Sequence, residues 1–139
     1  MMNWYKIAQS QNQTRPQIIS FDFDGTIANN QWNEEERDYL RDENGNMIAT
    51  LNENIAQMIH HYHNKNIQII VVSSRMDKNK DEIIDFIAKY NLPISEVYCT
   101  NGQDKIHLLK QLGVSKHFDD DPHELNAIKQ DGSLLGIAV

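Results

Sequence analysis

The run Ile67-Gln68-Ile69-Ile70-Val71-Val72 most restricts the possible folds, because six residues rich in β-branched side chains, with no polar alternation, read as a buried strand. A second such run, Ile18-Ile19-Ser20-Phe21, is stopped at Asp24-Gly25, a turn signal. Further strands are expected at Ile94 to Cys99, at His117-Phe118 as a short piece, and at Leu134 to Val139. The segments between them carry helical spacing. Leu51, Ile55, Met58, Ile59 and Tyr62 share one face of a helix over about 51–64, which Thr50 and Glu53 would open as a capping box. Ile83, Ile84, Ile87 and Tyr90 predict a helix over about 79–90, and Ile106, Leu108, Leu109 and Leu112 predict the next. Asp121-Pro122-His123-Glu124 supplies a cap, a proline at the first helical position and a capping-box Glu for another. Strands that alternate with helices throughout imply a doubly wound α/β fold: a mainly parallel, Rossmann-like sheet with helices on both faces.

The 139 residues suffice for one such domain, placed at 17–139, behind an N-terminal arm and linker at 1–16. Residues 28–50 are polar and charged, with Glu34-Glu35-Glu36 and Asn44-Gly45-Asn46, and predict a small flap rather than core. Cys99 is the sole cysteine, which excludes a disulfide framework and a Cys/His zinc site. The opening residues lack a signal-peptide apolar core, and the longest purely apolar run in the main hydrophobic segment is Ile69 to Val72, so a cytoplasmic protein with no membrane partner is expected. A net charge of −7 disfavours a strongly electrostatic grip on nucleic acid without forbidding a local basic pocket.

Ligands of open α/β sheets bind beyond the carboxyl ends of the strands. Here those ends are Asp22-Phe23-Asp24-Gly25-Thr26, Ser73-Ser74-Arg75 and Asp119-Asp120-Asp121, with Lys105 opening the helix before the last of them. Carboxylates crowded on one edge must share a proton or a cation, and hard oxygen donors suit Mg²⁺. Asp22 and Asp24, two apart along an extended strand, can face one ligand. The bland readings are a helix cap for Asp121, solvated side chains for His60, His61 and His63, and a small buried hydrophobe for Cys99.

These motifs resemble, in order, the four of haloacid-dehalogenase-superfamily phosphatases: Asp22-Phe23-Asp24-Gly25-Thr26, then Ser73, then Lys105, then Asp119-Asp120. The resemblance spans about residues 17–139 and implies a Mg²⁺-dependent phosphomonoester hydrolase that works through an aspartyl-phosphate. Asp22 would be the nucleophile and Asp24 the general acid and base. Asp22, the Asp24 backbone carbonyl and Asp119 or Asp120 would hold the metal. Ser73, Ser74, Arg75 and Lys105, with the backbone N–H groups of Gly25 and Thr26, would bind the phosphoryl group. Lys105, at a helix start, is expected outside the core, so that its loss should cost activity far more than stability. The pair Ile67 to Arg75 and Phe21 to Thr26 is also similar to the 3′-phosphatase domain of phage-type polynucleotide kinases, although no P-loop occurs in these residues.

The stretch Thr100 to Asp104 is too short for a cap domain, and residues 28–50 supply only a flap, which predicts an open site. The expected partner is a phosphorylated small molecule or nucleotide. The alternatives are a polynucleotide 3′-phosphatase acting on a nucleic-acid end, which the net charge disfavours, and a catalytically idle binding protein of the same fold.

Overall fold

The computed structural model describes residues 17–139; the arm at 1–16 lies outside the described residues. Five parallel strands form the central sheet: β1 (Ile18–Phe21), β6 (Gln68–Ser73), β7 (Glu96–Cys99), β8 (Val114–Asp119) and β9 (Leu135–Ala138). Their spatial order is β7-β6-β1-β8-β9, so the chain winds outward from β1 in one direction and then returns to its other side. That reversal opens a crevice beyond the carboxyl ends of β1 and β8, the usual ligand position in such sheets.

Alternation along the strands builds two cores. Ile19, Phe21, Ile69 and Val71 pack with Ile55 and Ile59 of α1 (Glu53–Asn64) and with Ile83 and Phe86 of α2 (Lys80–Lys89). Ile70, Val72 and Val114 face the other way, against Ile106 and Leu109 of α3 (Ile106–Leu112) and Ile128 of α4 (Pro122–Asp131). Pairing of β1 with β8 sets Phe21 opposite Phe118, and their rings stack 4.6 Å apart. This contact fixes the two strands whose ends carry the acids.

Several boundaries differ from expectation. Helix α1 starts later, because Thr50 and Leu51 form β5 (Thr50–Leu51) and Asn52, not Thr50, caps the helix through Ile55 N. The expected 79–90 helix opens as a 3₁₀ turn at Asp77–Asn79 before α2 begins. His117-Phe118 belongs to a six-residue strand, β8, hidden from a pattern reading by Ser115, Lys116 and His117. Asp121 does cap α4, through His123 N, but Glu124 turns away from the cap and accepts the backbone N–H of Lys105 at 3.0 Å. A buried glutamate thereby fastens the start of α3 to α4.

The flap consists of two small antiparallel ribbons. One pairs β2 (Ala28–Asn29) with β5, and the other pairs β3 (Trp32–Asn33) with β4 (Asp38–Tyr39). No cap domain is inserted in the described residues, and none of their helices is long and apolar enough to cross a membrane.

Candidate active site

Chain reversal beside β1 puts Asp22 and Asp119 next to each other, with the backbone N–H of Asp22 donating to Phe118 O at 2.8 Å. Lys105 enters between them from the start of α3: its Nζ lies 2.9 Å from Asp22 Oδ1 and 2.8 Å from Asp119 Oδ2. The expectation that Lys105 stands outside the core is corrected here, since it is only 2% exposed. A buried ammonium is tolerable because two carboxylates compensate it. Burial opposes its charge, but Asp22 and Asp119 outweigh burial and hold the Lys105 pKa above the ordinary lysine value.

The two acids diverge. Burial pushes the Asp22 carboxyl well above the usual range; Lys105 opposes this and Asp119 adds to it. Burial would also raise Asp119, but a hydrogen bond from His117 and the charge of Lys105 pull it below the carboxylate range. His117, wholly buried, bridges Asp119 Oδ2 at 2.7 Å and Ser20 Oγ at 2.6 Å. With Asp119 ionised, Nε2 donates to the acid and Nδ1 accepts from the serine. Burial keeps this imidazole neutral, its pKa below the ordinary histidine value. Neither Ser20 nor His117 stood out in the sequence; the available signal was that His117 and Asp119, two apart on one strand, share a face.

Asp24 is held differently. Arg75 clasps it in a fork, Nε to Oδ2 and Nη2 to Oδ1, both at 2.8 Å, and Asn30 Nδ2 donates to Oδ1 at 2.7 Å. Arg75 also reaches Glu82 of α2 at 2.7 Å and lies over the Phe23 and Tyr39 rings. Glu82 in turn holds Arg41 of the flap at 2.7 Å. Glu82, Asn30 and Tyr39 were not singled out in the sequence, because their partners lie on distant segments.

A cavity of about 270 Å³ opens over these groups, lined by Asp22, Asp24, Lys105, Asp119, Asp120 and Asp121 on the sheet edge and by Ser74 and Tyr39 around the rim. Burial, followed by the charges of Asp24 and Asp22, raises the Tyr39 phenol, which keeps its proton at neutral pH. Ser73 is buried beneath the rim, and its Oγ accepts the Arg75 N–H at 3.1 Å. The backbone N–H groups expected to meet phosphate are spent inside the turn: Gly25 N donates to Ala28 O and Asn30 Oδ1, and Thr26 N to Phe23 O. Thr26 Oγ1 lies 3.4 Å from Asp22 Oδ2. Gly25 has φ +77°, so the turn needs glycine for its backbone, and a Cβ there would sit 2.1 Å from Asp120 Oδ2 and push that exposed side chain aside. A larger cavity of about 590 Å³ lies at the opposite end of the sheet, near His63, Ile67 and Pro93, away from the acids.

Asp22, Asp119 and Asp120 can each bring a carboxylate oxygen within 4.8 Å of the others, a donor set that fits a hard divalent cation. His60, His61 and His63 are exposed on α1, as expected. The family profile described as the polynucleotide kinase PNKP phosphatase domain matches residues 16–111. The chain belongs to this family. It is a phosphatase-type hydrolase with the fold of the haloacid dehalogenase superfamily. No curated protein matches its sequence. Among solved structures, one of a Pnkp1/Rnl/Hen1 complex superposes with a TM-score of 0.70 at 18% identity, over 91% of this chain and 46% of that one. The domain therefore spans less than half of that protein. The cobalt-bound deoxy-D-mannose-octulosonate 8-phosphate phosphatase of Haemophilus influenzae gives a TM-score of 0.57 at 22% identity, over 92% of this chain and 71% of that one. Its counterpart from Moraxella catarrhalis, bound to magnesium, phosphate and the sugar acid, gives 0.52 at 19% identity, over 92% of this chain and 70% of that one. These likenesses extend the shared fold beyond the family match.

Proposed function

We propose that this domain is a Mg²⁺-dependent phosphomonoester hydrolase that works through an aspartyl-phosphate on Asp22. The observation that carries the reading is the Asp22–Lys105–Asp119 triad at the floor of the cavity. A carboxylate about 4 Å from a phosphate dianion meets repulsion of about 8 kcal/mol at an effective dielectric near 20, so attack needs local positive charge. Lys105 provides part of it and fixes the direction of Asp22 Oδ1. Asp22, the Asp24 carbonyl and Asp119 or Asp120 would hold Mg²⁺. When bound, that ion neutralises the phosphoryl oxygens and aligns them with the nucleophile.

In the first half-reaction an Asp22 oxygen forms a bond to phosphorus, the ester P–O bond breaks, and the departing alkoxide takes a proton from Asp24. In the second, water attacks phosphorus, its proton passes to Asp24, and Asp22 leaves as a carboxylate. Because Arg75 clasps both Asp24 oxygens, the acid must loosen that fork to reach the leaving group. Ser74, at the rim, and Ser73 and Arg75, just behind it, are the phosphoryl-binding candidates on the second strand end.

The test is hydrolysis of an aryl phosphate monoester by purified protein. Activity that needs Mg²⁺ and is lost in EDTA supports the reading; full activity in EDTA contradicts it. The family match favours a second reading, a 3′-phosphatase of nucleic-acid ends. Glu34, Glu35 and Glu36 in the flap, together with the net charge of −7, weigh against a polyanionic substrate. The intact triad weighs against an idle binding protein.

A further inference from the structure

The flap carries an aromatic pair of which one member, Tyr39, lines this cavity and the other, Trp32, packs on Tyr39. Trp32 and Tyr39 are direct cross-strand partners, so both side chains leave the β3–β4 ribbon on one face. Tyr39 lines the cavity on that face, and Trp32 meets it edge to face, ring centres 5.1 Å apart at 77°. The Arg75 guanidinium lies over the Tyr39 ring, 5.3 Å from its centre, a second contact that holds the tyrosine. Trp32 remains 46% exposed, whereas Phe21, Phe23, Phe86 and Phe118 are all buried. An indole held this way costs little further ordering when a ligand ring stacks on it.

The hairpin tip adds a charge filter. Asn33 Oδ1 accepts the N–H groups of Glu35 and Glu36, and Glu34, Glu35 and Glu36 are exposed with Arg37 the single cation between β3 and β4. A substrate alcohol extended past Tyr39 would reach the Trp32 ring, which shares its hairpin with this acidic tip. A ring can gain there, and a second phosphate cannot.

We propose that Trp32, braced by Tyr39, is a leaving-group subsite that stacks a planar ring carried by the substrate alcohol. The class of substrate is a phosphomonoester with one phosphate and one heterocycle, a mononucleotide rather than a phosphorylated oligonucleotide or an aliphatic sugar phosphate. The inference deepens the phosphomonoesterase reading and rests on it for turnover, though not for binding.

The experiment compares kcat/KM for a nucleoside monophosphate and for glycerol phosphate with Mg²⁺, in wild type and in Trp32→Ala, Trp32→Phe and Trp32→Leu. Wild type should prefer the nucleotide, and Trp32→Ala should lower the nucleotide-to-glycerol ratio on the order of tenfold, mainly through KM. Trp32→Phe should restore the ratio, and Trp32→Leu, apolar but not planar, should not. Binding is read separately in Trp4→Phe/Asp22→Asn protein, where Trp32 is the single indole. The nucleotide should quench its fluorescence and glycerol phosphate should not. A ratio unchanged in Trp32→Ala, a ratio restored by Trp32→Leu, or equal quenching by both ligands overturns the subsite. Quenching by the nucleotide alone, without hydrolysis of either ester, leaves the subsite standing and overturns the phosphatase reading instead.

Discussion

The sheet edge and the flap are both held by carboxylates paired with cations, yet their surroundings differ sharply. Lys105 is fully enclosed between Asp22 and Asp119, while Arg41 and Glu82, which tie the flap to α2, each retain more than a quarter of their side-chain exposure. Removing one partner of an enclosed pair strands a charge away from water, whereas a wet pair is replaced by solvent. The same chemistry is thus rigid machinery at the strand ends and an adjustable fastening at the flap. Arg75 joins the two regimes, with Asp24 on one side and Glu82 on the other.

The largest expected effect comes from breaking the enclosed pair. Lys105→Ala leaves Asp22 and Asp119 uncompensated, so stability should fall by about 3–5 kcal/mol in denaturant titration. In the fraction that remains folded, kcat/KM should fall on the order of a hundredfold or more. A variant of near wild-type stability would contradict the enclosed picture. Next in size is Asp24→Asn. It should slow alkyl phosphates about 10²- to 10⁴-fold and aryl phosphates with good leaving groups much less. Equal losses for both would remove Asp24 from the acid role.

Glu82→Gln probes the flap. The Arg41–Glu82 pair is partly exposed, a kind of pair that contributes about 0.2–1 kcal/mol. The more enclosed Arg75 keeps Asp24 when Glu82 is neutralised, so flap amides should exchange a few-fold faster while the thermal midpoint barely moves. Hydrogen bonds from Arg41, and then from Arg75, outweigh the opposing effect of burial and hold the folded pKa of Glu82 below its ordinary 4.5. Its contribution is therefore present above about pH 4.5 and is lost as pH falls through the lower folded value. Flap protection should decline over that window in wild type and lose this dependence in Glu82→Gln. The smallest effect is expected from neutralising Glu34, Glu35 and Glu36 together. Turnover of a 3′-phosphorylated oligonucleotide should rise at low salt, aryl-phosphate turnover should stay level, and added salt should erase the difference.

The strand and helix order and the acids at the strand ends were legible because buried β-runs and strand-terminating polar clusters are local signals. Strand β8 was under-read, since its Ser115, Lys116 and His117 satisfy partners on β1 or lie partly exposed rather than showing an apolar run. The burial of Lys105 was illegible for a related reason: its environment is made by residues 83 and 14 positions away in the chain. Glu124 resembled a local capping residue and proved to be a tertiary contact. Tyr39 and Trp32 lie inside a charged stretch that reads as flap, and only pairing across the ribbon brings Trp32 onto the face of Tyr39, which lines the cavity.

Covalent catalysis by Asp22 can be caught in the Asp24→Asn variant. That variant should still attack an activated aryl phosphate with Mg²⁺, but should hydrolyse the resulting acyl phosphate slowly. Acid quenching at successive times, followed by peptide mapping in a mass spectrometer, should find phosphate on the peptide that carries Asp22, accumulating before free phosphate reaches its steady rate. Phosphate released with the Asp22 peptide unmodified at every time would contradict an aspartyl-phosphate on Asp22.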